Sequence, residues 1–280
     1  MYFQITSYLK FLLKSQNEHG LHSPFVYDLV TNCFYDKKDH KEYQLIKNFR
    51  SDLLRNKNII EVTDFGAGSR VFKSNQRPVF SVAKNAGITL HRAKLLYRIT
   101  NYLGISSALE LGTSLGIASS AIAANKKTKL ISIEGCKETA KVAKEQFAKY
   151  QLNNIQLINA QFENALSQLN SDLNNRQQKT ENRQLLAPNS EFQTARKFDL
   201  IYFDGNHQKA ATLDYFENLL PTTHNNSVFI FDDIHWSQEM EEAWEEIKAH
   251  PEVTVSIDTF QWGLVFFRKQ QVKQDFAIRV

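Results

Sequence analysis

From Ser107 onward, short apolar runs alternate with segments of helical periodicity, and this alternation constrains the fold more than any other feature of the chain. The runs are residues 107–111 (SALEL), 129–134 (KLISIE), 154–159 (NIQLIN), 198–204 (FDLIYFD), 227–232 (SVFIFD), 253–258 (VTVSID) and 263–268 (GLVFFR). Between them, residues 116–125, 137–150, 161–170, 208–220 and 237–249 carry apolar residues at helical spacing. Strands separated by helices pair in parallel, because the crossover then has the dozen or more residues it needs. The expectation is an α/β fold with a mostly parallel sheet and helices on both faces. Only residues 259–262 join the last two runs, too few for a crossover, so these runs should form an antiparallel hairpin at the end of the sheet.

The first hundred residues read as mostly helical, with segments at 2–14, 24–35, 40–55 and 91–103. Between the last two lies an irregular stretch, 59–80, whose DFGAGSR (64–70) and SNQRP (74–78) indicate a loop. The chain therefore divides into a helical N-terminal extension, residues 1–104, and an α/β part, residues 105–280. Residues 171–197 break the rhythm with Asn, Gln, Arg and Lys and read as an exposed polar insertion. With 42% hydrophobic and 23% charged residues, the 280-residue chain can build a sizeable core, which excludes wholesale disorder. No run approaches the roughly 18 apolar residues of a membrane span. Gln4, Lys10 and Lys14 interrupt the N-terminal segment, which lacks a signal-peptide pattern. Cys33 and Cys136 have no CxxC spacing, which excludes a disulfide scaffold or cysteine zinc site and suits a reducing cytoplasm. The net charge of +4 is unevenly spread. Residues 1–105 hold 16 Lys and Arg against 8 Asp and Glu, and the remainder holds 18 against 22. A basic part on an acidic one is consistent with an anionic substrate, and equally with a solvated surface.

The chemistry-bearing residues gather where strands should end. ALELGTSLGIAS (108–119) places Gly112 and Gly116 at a strand-to-helix turn, where a backbone without Cβ can bend sharply and approach a ligand. The free N–H groups of the following helix face the same way. Glu110 ends the strand, and Thr113 and Ser114 lie within the turn. The spacing is not the GxGxxG of dinucleotide binding, so a nicotinamide enzyme is the weakest alternative. In ISIEGC (131–136), Glu134 ends the next strand, where a carboxylate can accept hydrogen bonds from both ribose hydroxyls of a nucleoside cofactor. FDLIYFDGNH (198–207) and VFIFDDIHW (228–236) bring Asp204, Asp232 and Asp233 to neighbouring strand ends. Three adjacent carboxylates repel unless a cation or protons neutralise them, and hard oxygen ligands suit Mg²⁺, Mn²⁺ or Ca²⁺. His207 and His235 could act as a general base, ligate the metal or simply fill the wall. Trp236 and Trp262 could stack on a flat ligand or belong to the core.

ELGTSLG, SIEG, DLIYFDGNH and IFDDIHW, in that order, resemble a class I S-adenosylmethionine-dependent methyltransferase over about residues 105–268. Within that class the likeness is greatest to small-molecule O-methyltransferases of the catechol type. HGLHSPF (19–25) and DFGAGS (64–69) extend it to uncharacterised members from Bacteroidetes-type bacteria. The resemblance implies a Rossmann-like seven-stranded sheet with its last strand antiparallel. It places Glu110, Gly112, Thr113, Ser114 and Gly116 at the methionine part of the cofactor and Glu134 at the ribose. Ala160, Gln161 and Phe162 would lie at the adenine, and Asp204 where the sulfonium meets the substrate. It also implies Asp204, Asp232 and Asp233 as ligands of Mg²⁺ or another divalent cation. Three departures stand out: Ser114 replaces a glycine common in the wider class, His207 replaces the usual lysine, and Asp-Asp replaces Asp-Asn.

The expected reaction is methylation of a small-molecule hydroxyl acceptor, with S-adenosylmethionine as cofactor and His207 or His235 taking the proton if a metal alone does not. Arg70, Lys73 and Arg77 could meet an anionic acceptor, and the helical part would cover the pocket or support a homodimer. Methylation of RNA or another nucleic acid is a rival, permitted by the basic N-terminal part. A non-catalytic cofactor-binding scaffold is another.

Overall fold

The computed structural model describes residues 2–66, 68, 74–167 and 197–280. Its centre is an eight-stranded sheet of order β10-β8-β9-β7-β6-β3-β4-β5. The strands are β3 (Ser107–Leu111), β4 (Lys129–Glu134), β5 (Ile155–Asn159), β6 (Leu200–Phe203), β7 (Val228–Asp232), β8 (Val255–Asp258), β9 (Trp262–Phe266) and β10 (Gln274–Ala277). All neighbours pair in parallel except β9, which is antiparallel to both β7 and β8. Central strands are buried on both faces, which is why β6 (LIYF) and β7 (VFIFD) read as unbroken apolar runs.

Period-two alternation sends the two faces of each strand into two apolar clusters. Leu109, Ile131, Ile201, Phe203, Phe229 and Phe231 pack against α8 (Lys209–Leu219), α9 (Gln238–Ala249) and a helical segment at residues 162–167. Ala108, Leu130, Tyr202 and Ile230 face the other way. There they join α6 (Ile117–Ala123), α7 (Lys137–Lys149) and the N-terminal helices α2 (Pro24–Leu29), α3 (Glu42–Arg55), α4 (Val79–Asn85) and α5 (Leu90–Tyr102). The N-terminal region thus shares one core with the sheet. Helix α1 (Tyr2–Lys14) is followed by Gln16, which extends the sheet edge: its N–H donates to Ala277 O (2.8 Å) and its carbonyl accepts from Arg279 N–H (3.3 Å).

The architecture differs from the expectation in three places. An eighth strand, β10, pairs in parallel with β8. The helix expected over 24–35 leaves α-geometry at Leu29 and closes as a π-turn, Val30–Phe34. The stretch at 59–80 contains a two-stranded ribbon, β1 (Ile59–Glu61) with β2 (Gln76–Pro78), and the start of α4. Of the expected polar insertion only Lys197 belongs to the described residues, and the last part of the helix expected at 161–170 lies outside them. No helix among the described residues is long and apolar enough to cross a membrane.

Candidate active site

The C-terminal ends of β4, β3, β6 and β7 lie side by side, so every loop leaving them opens onto one edge of the sheet. Non-glycine residues with positive φ mark three of these exits: Ser114 (49°) after β3, Asn206 (68°) and His207 (47°) after β6, and Asp233 (53°) after β7. Left-handed backbone at such residues costs energy that surrounding contacts must hold, and it clusters at functional sites.

The turn after β3 is built on Gly112, at φ 104°, where a Cβ would lie 2.0 Å from Asp204 O. Only a glycine lets the β3 and β6 exits approach this closely. The N–H groups of Gly112 and Thr113 both donate to Ile133 O (3.0 and 3.2 Å). Gly116, at φ 82°, caps α6, and a Cβ there would meet the Phe147 ring. Glu110 is fully buried beneath α6. Its Oε2 accepts from the hydroxyls of Ser119 and Ser132, and Thr113 Oγ1 bonds the same Ser132 hydroxyl. Its Oε1 has no hydrogen-bond partner among the described residues. Burial pushes this carboxyl up to about 7, against the opposing pull of the two serine hydroxyls.

At the end of β4 the Glu134 carboxylate accepts from Ser114 N–H (2.7 Å) and Cys136 N–H (2.8 Å), tying the two turns together. Burial raises its pKa, and those N–H groups pull the other way. Ala160 N–H donates to Glu134 O (3.1 Å), which brings the β5 exit alongside. Gln161 is exposed, and Phe162 packs edge-on against Tyr215 (5.6 Å) and over Gly205, where a Cβ would touch its ring. The loop at residues 64–66 crosses this edge. Phe65 lies against Gly135 and Gly66 against Asn206, so the loop spans from the β4 exit to the β6 exit.

Residues 109–234 match the family model of a methyltransferase domain. These residues form a methyltransferase domain. Solved structures share the fold at low sequence identity. An O-methyltransferase from Bacillus cereus in complex with SAH is 14% identical, covers 87% of this chain and 96% of its own, and superposes with a TM-score of 0.52. The SAH-bound methyltransferase PaMTH1 from Podospora anserina is 12% identical over 89% of this chain and 97% of its own, with a TM-score of 0.54. The O-methyltransferase TomG from Streptomyces achromogenes, involved in tomaymycin synthesis and crystallised with SAM, is 14% identical over 87% and 95%, with a TM-score of 0.52. No curated protein matches the sequence.

In this methyltransferase domain, Asp204 and Asp232 stand at adjacent strand ends. Burial and the neighbouring Asp232 carboxylate raise the Asp204 pKa well above the usual carboxylate range. His207 Nε2 lies 3.7 Å from Asp204 Oδ1. The expected divalent-metal set of Asp204, Asp232 and Asp233 does not assemble: among the described residues no group of three His, Cys, Asp or Glu is arranged to hold a metal. Asp232 is instead paired with the Arg92 guanidinium, which comes from the first turn of α5. The residues therefore do not fit the cation that the resemblance implied. His235 is engaged by other groups, with Nε2 2.9 Å from Asp258 Oδ2, Nδ1 3.7 Å from Glu241 Oε1 and its ring stacked on Phe260 (5.1 Å).

Trp262 is buried with the Arg92 guanidinium 4.8 Å from its ring centre, whereas Trp236 lines a groove of about 380 Å³ with Ile5, Tyr8, Leu9, Asp233 and His235. Arg77 Nε donates to Ser74 O (3.0 Å), and Arg70 and Lys73 lie outside the described residues. The sequence reading missed Arg92, Tyr202 and Phe65. Arg92 did leave a signal, since it shares a helical face with buried Leu95 and Ile99, and a charge on a buried face needs a partner.

Proposed function

We propose that this chain is an S-adenosylmethionine-dependent methyltransferase acting on a hydroxyl of a small acceptor. The observation that carries this reading is the pair of joined turns at the ends of β3 and β4, with Glu134 bridging Ser114 N–H and Cys136 N–H. A carboxylate has about four acceptor positions, so Glu134 keeps capacity for hydroxyl donors. The buried, unpartnered Oε1 of Glu110 suits an ammonium group. Both features fit the cofactor. We assign Glu110, Gly112, Thr113, Ser114 and Gly116 to its methionine part, Glu134 to its ribose, and Gln161 and Phe162 to its adenine. When bound, the cofactor supplies a methyl group on a cationic sulfur that departs as a neutral thioether.

The protein's part is alignment and charge. Asp204 stands where acceptor and cofactor would meet, and His207 beside it takes the acceptor's proton at Nε2. His235, tied to Asp258, holds the wall of the acceptor groove. Ile5, Tyr8, Leu9, Trp236 and Phe260 make that groove largely apolar, which favours a flat, apolar hydroxyl compound. On this reading the N-terminal helices act as the substrate cap.

Calorimetric titration of S-adenosylmethionine into the full chain tests the proposal. Wild type is expected to bind in the micromolar range and Glu134→Ala to lose at least tenfold, the value of about 1.4 kcal/mol of lost hydrogen bonding. No binding to a folded wild type would overturn the reading.

A further inference from the structure

We propose that Arg92 is the resident cation of the acceptor site, so that the reaction proposed above runs without a divalent metal. The inference deepens that reading and rests on it for the identity of the reaction, though not for the identity of the cation.

Neighbouring carboxylates such as those at the β6 and β7 exits cannot all ionise without a positive charge beside them. The structure supplies it from outside the methyltransferase domain. Thr89 caps α5, and the first turn of that helix aims Arg92 at the sheet edge. A guanidinium nitrogen contacts Asp232 Oδ1. The pair is withdrawn from water, with the Arg92 side chain 15% exposed and Asp232 6%. The guanidinium lies over Trp262, 4.8 Å from the ring centre, so the ring's attraction holds it in place as well as the Asp232 charge. Asp204, Asp233 and Tyr202 are close enough to add to the same field.

This arrangement and a metal site exclude one another. A divalent cation needs several hard oxygens free to converge on it. The guanidinium engages an oxygen of Asp232 and puts its own positive charge beside Asp204, which repels a second cation. An arginine also stays charged at every working pH, so the site's cation is permanent.

The second observation concerns unused polar atoms. Arg92 Nε and the Tyr202 hydroxyl are buried, and neither has a hydrogen-bond partner among the described residues. Buried donors without partners are rare and expensive. Both belong to the cluster that contains Asp204 and Asp232, and Tyr202 and Trp262 meet edge-on at 6.1 Å. An acceptor oxygen developing negative charge is the partner these two donors lack. Fixed donors in a dry site stabilise such an oxygen without reorganisation. The metal's two tasks, neutralising the acids and polarising the acceptor oxygen, would thus fall to Arg92, with Tyr202 sharing the second.

Titration of Mn²⁺ alone into the full chain, read by calorimetry and by loss of the free Mn²⁺ paramagnetic signal, tests the assignment. Wild type is expected to take up no Mn²⁺ at about millimolar concentration, weaker than dedicated oxygen-ligand sites of low affinity. Arg92→Met keeps an apolar contact with Trp262 and removes the charge. It is expected to gain a stoichiometric Mn²⁺ site that the added change Asp232→Asn abolishes. One Mn²⁺ bound by wild type would overturn the proposal, and this arm needs no variant to fold. An Arg92→Met protein that melts like wild type and still ignores Mn²⁺ would also overturn it, because something other than the guanidinium would then be keeping the metal out. The same samples titrated with S-adenosylmethionine separate the two claims: absent cofactor binding defeats the methyltransferase reading and leaves the Mn²⁺ result standing.

Discussion

Glu110 shows how a single residue can be held at a cost to the fold. Its carboxyl is buried, and its pKa is raised from the ordinary 4.5 to about 7. Below pH 4.5 both folded and unfolded chains keep the proton, and the residue costs nothing. Between pH 4.5 and 7 the unfolded chain ionises first, so stability falls as pH rises. Above pH 7 the loss levels off at about 3 kcal/mol. Glu110→Gln keeps an acceptor for Ser119 and Ser132 and removes the ionisation. We expect the variant to match wild type in denaturant unfolding near pH 4.5 and to exceed it by up to about 3 kcal/mol at pH 8. Its affinity for S-adenosylmethionine should fall, since the charge that suits an ammonium group is gone. Equal stability of the two proteins at pH 8 would contradict the burial argument. Glu110 was legible in the sequence because it ends an apolar strand next to a glycine turn. Its serine partners were not, since Ser119 comes from α6 and Ser132 from β4, and only the folded sheet brings them together.

Helix α5 joins local capping to the site. Thr89 Oγ1 accepts from Arg92 N–H (3.3 Å), so the cap fixes the backbone of the residue whose side chain reaches Asp232. Thr89→Ala should cost about 1 kcal/mol. For a chain of this length that is a drop of about 2 °C in melting temperature, and Thr89→Ser should restore it. A fall of that size in Thr89→Ala without rescue by Ser would show that the hydroxyl is not the cause. Helix α5 was legible from the helical spacing of its apolar residues, and β6 because burial on both faces makes it an unbroken apolar run. Strand β10 was not: QDFA (274–277) is an edge strand with a mixed burial pattern and no apolar run to announce it. The π-turn was also hidden. VTNCF continues the apolar pattern of α2, and a distant residue ends the helix. Arg98 donates to Cys33 O (2.8 Å) and Phe34 O (3.0 Å), while Tyr35 N–H closes the wide turn on Val30 O (2.9 Å). Tertiary contacts of this kind leave no trace in local periodicity.

At the scale of the whole molecule, the contrast between a basic first part and an acidic remainder is partly consumed inside the fold. The Arg92–Asp232 pair links the two, and the Ser7 hydroxyl donates to Glu241 Oε2 (3.2 Å) along another seam. The N-terminal segment is further clipped to the C-terminus through Gln16 and Ile278. Helix α1 lines the groove with Ile5, Tyr8 and Leu9, and the rings of Tyr8 and Phe11 lie 4.8 and 5.6 Å from that of Phe260. Among the described residues, the hydrogen bonds and close contacts of Gly112, Glu134 and Asp204 come from elements other than α1, so α1 bears on the groove and not on the cofactor turns. Removal of α1 alone, residues 2–14, leaves the Gln16 clip in place and therefore separates them. The shortened protein loses the burial of Phe11, worth about 2 kcal/mol, and should remain folded. Its affinity for S-adenosylmethionine should be unchanged, because the turns at β3 and β4 keep all their partners. With an identified acceptor, KM should rise several-fold while kcat changes little, the pattern of a lost wall that binds ground state and transition state alike. Equal loss of cofactor affinity would show that α1 supports the sheet edge itself, and a fall in kcat alone would place the helix in the alignment of the reacting groups.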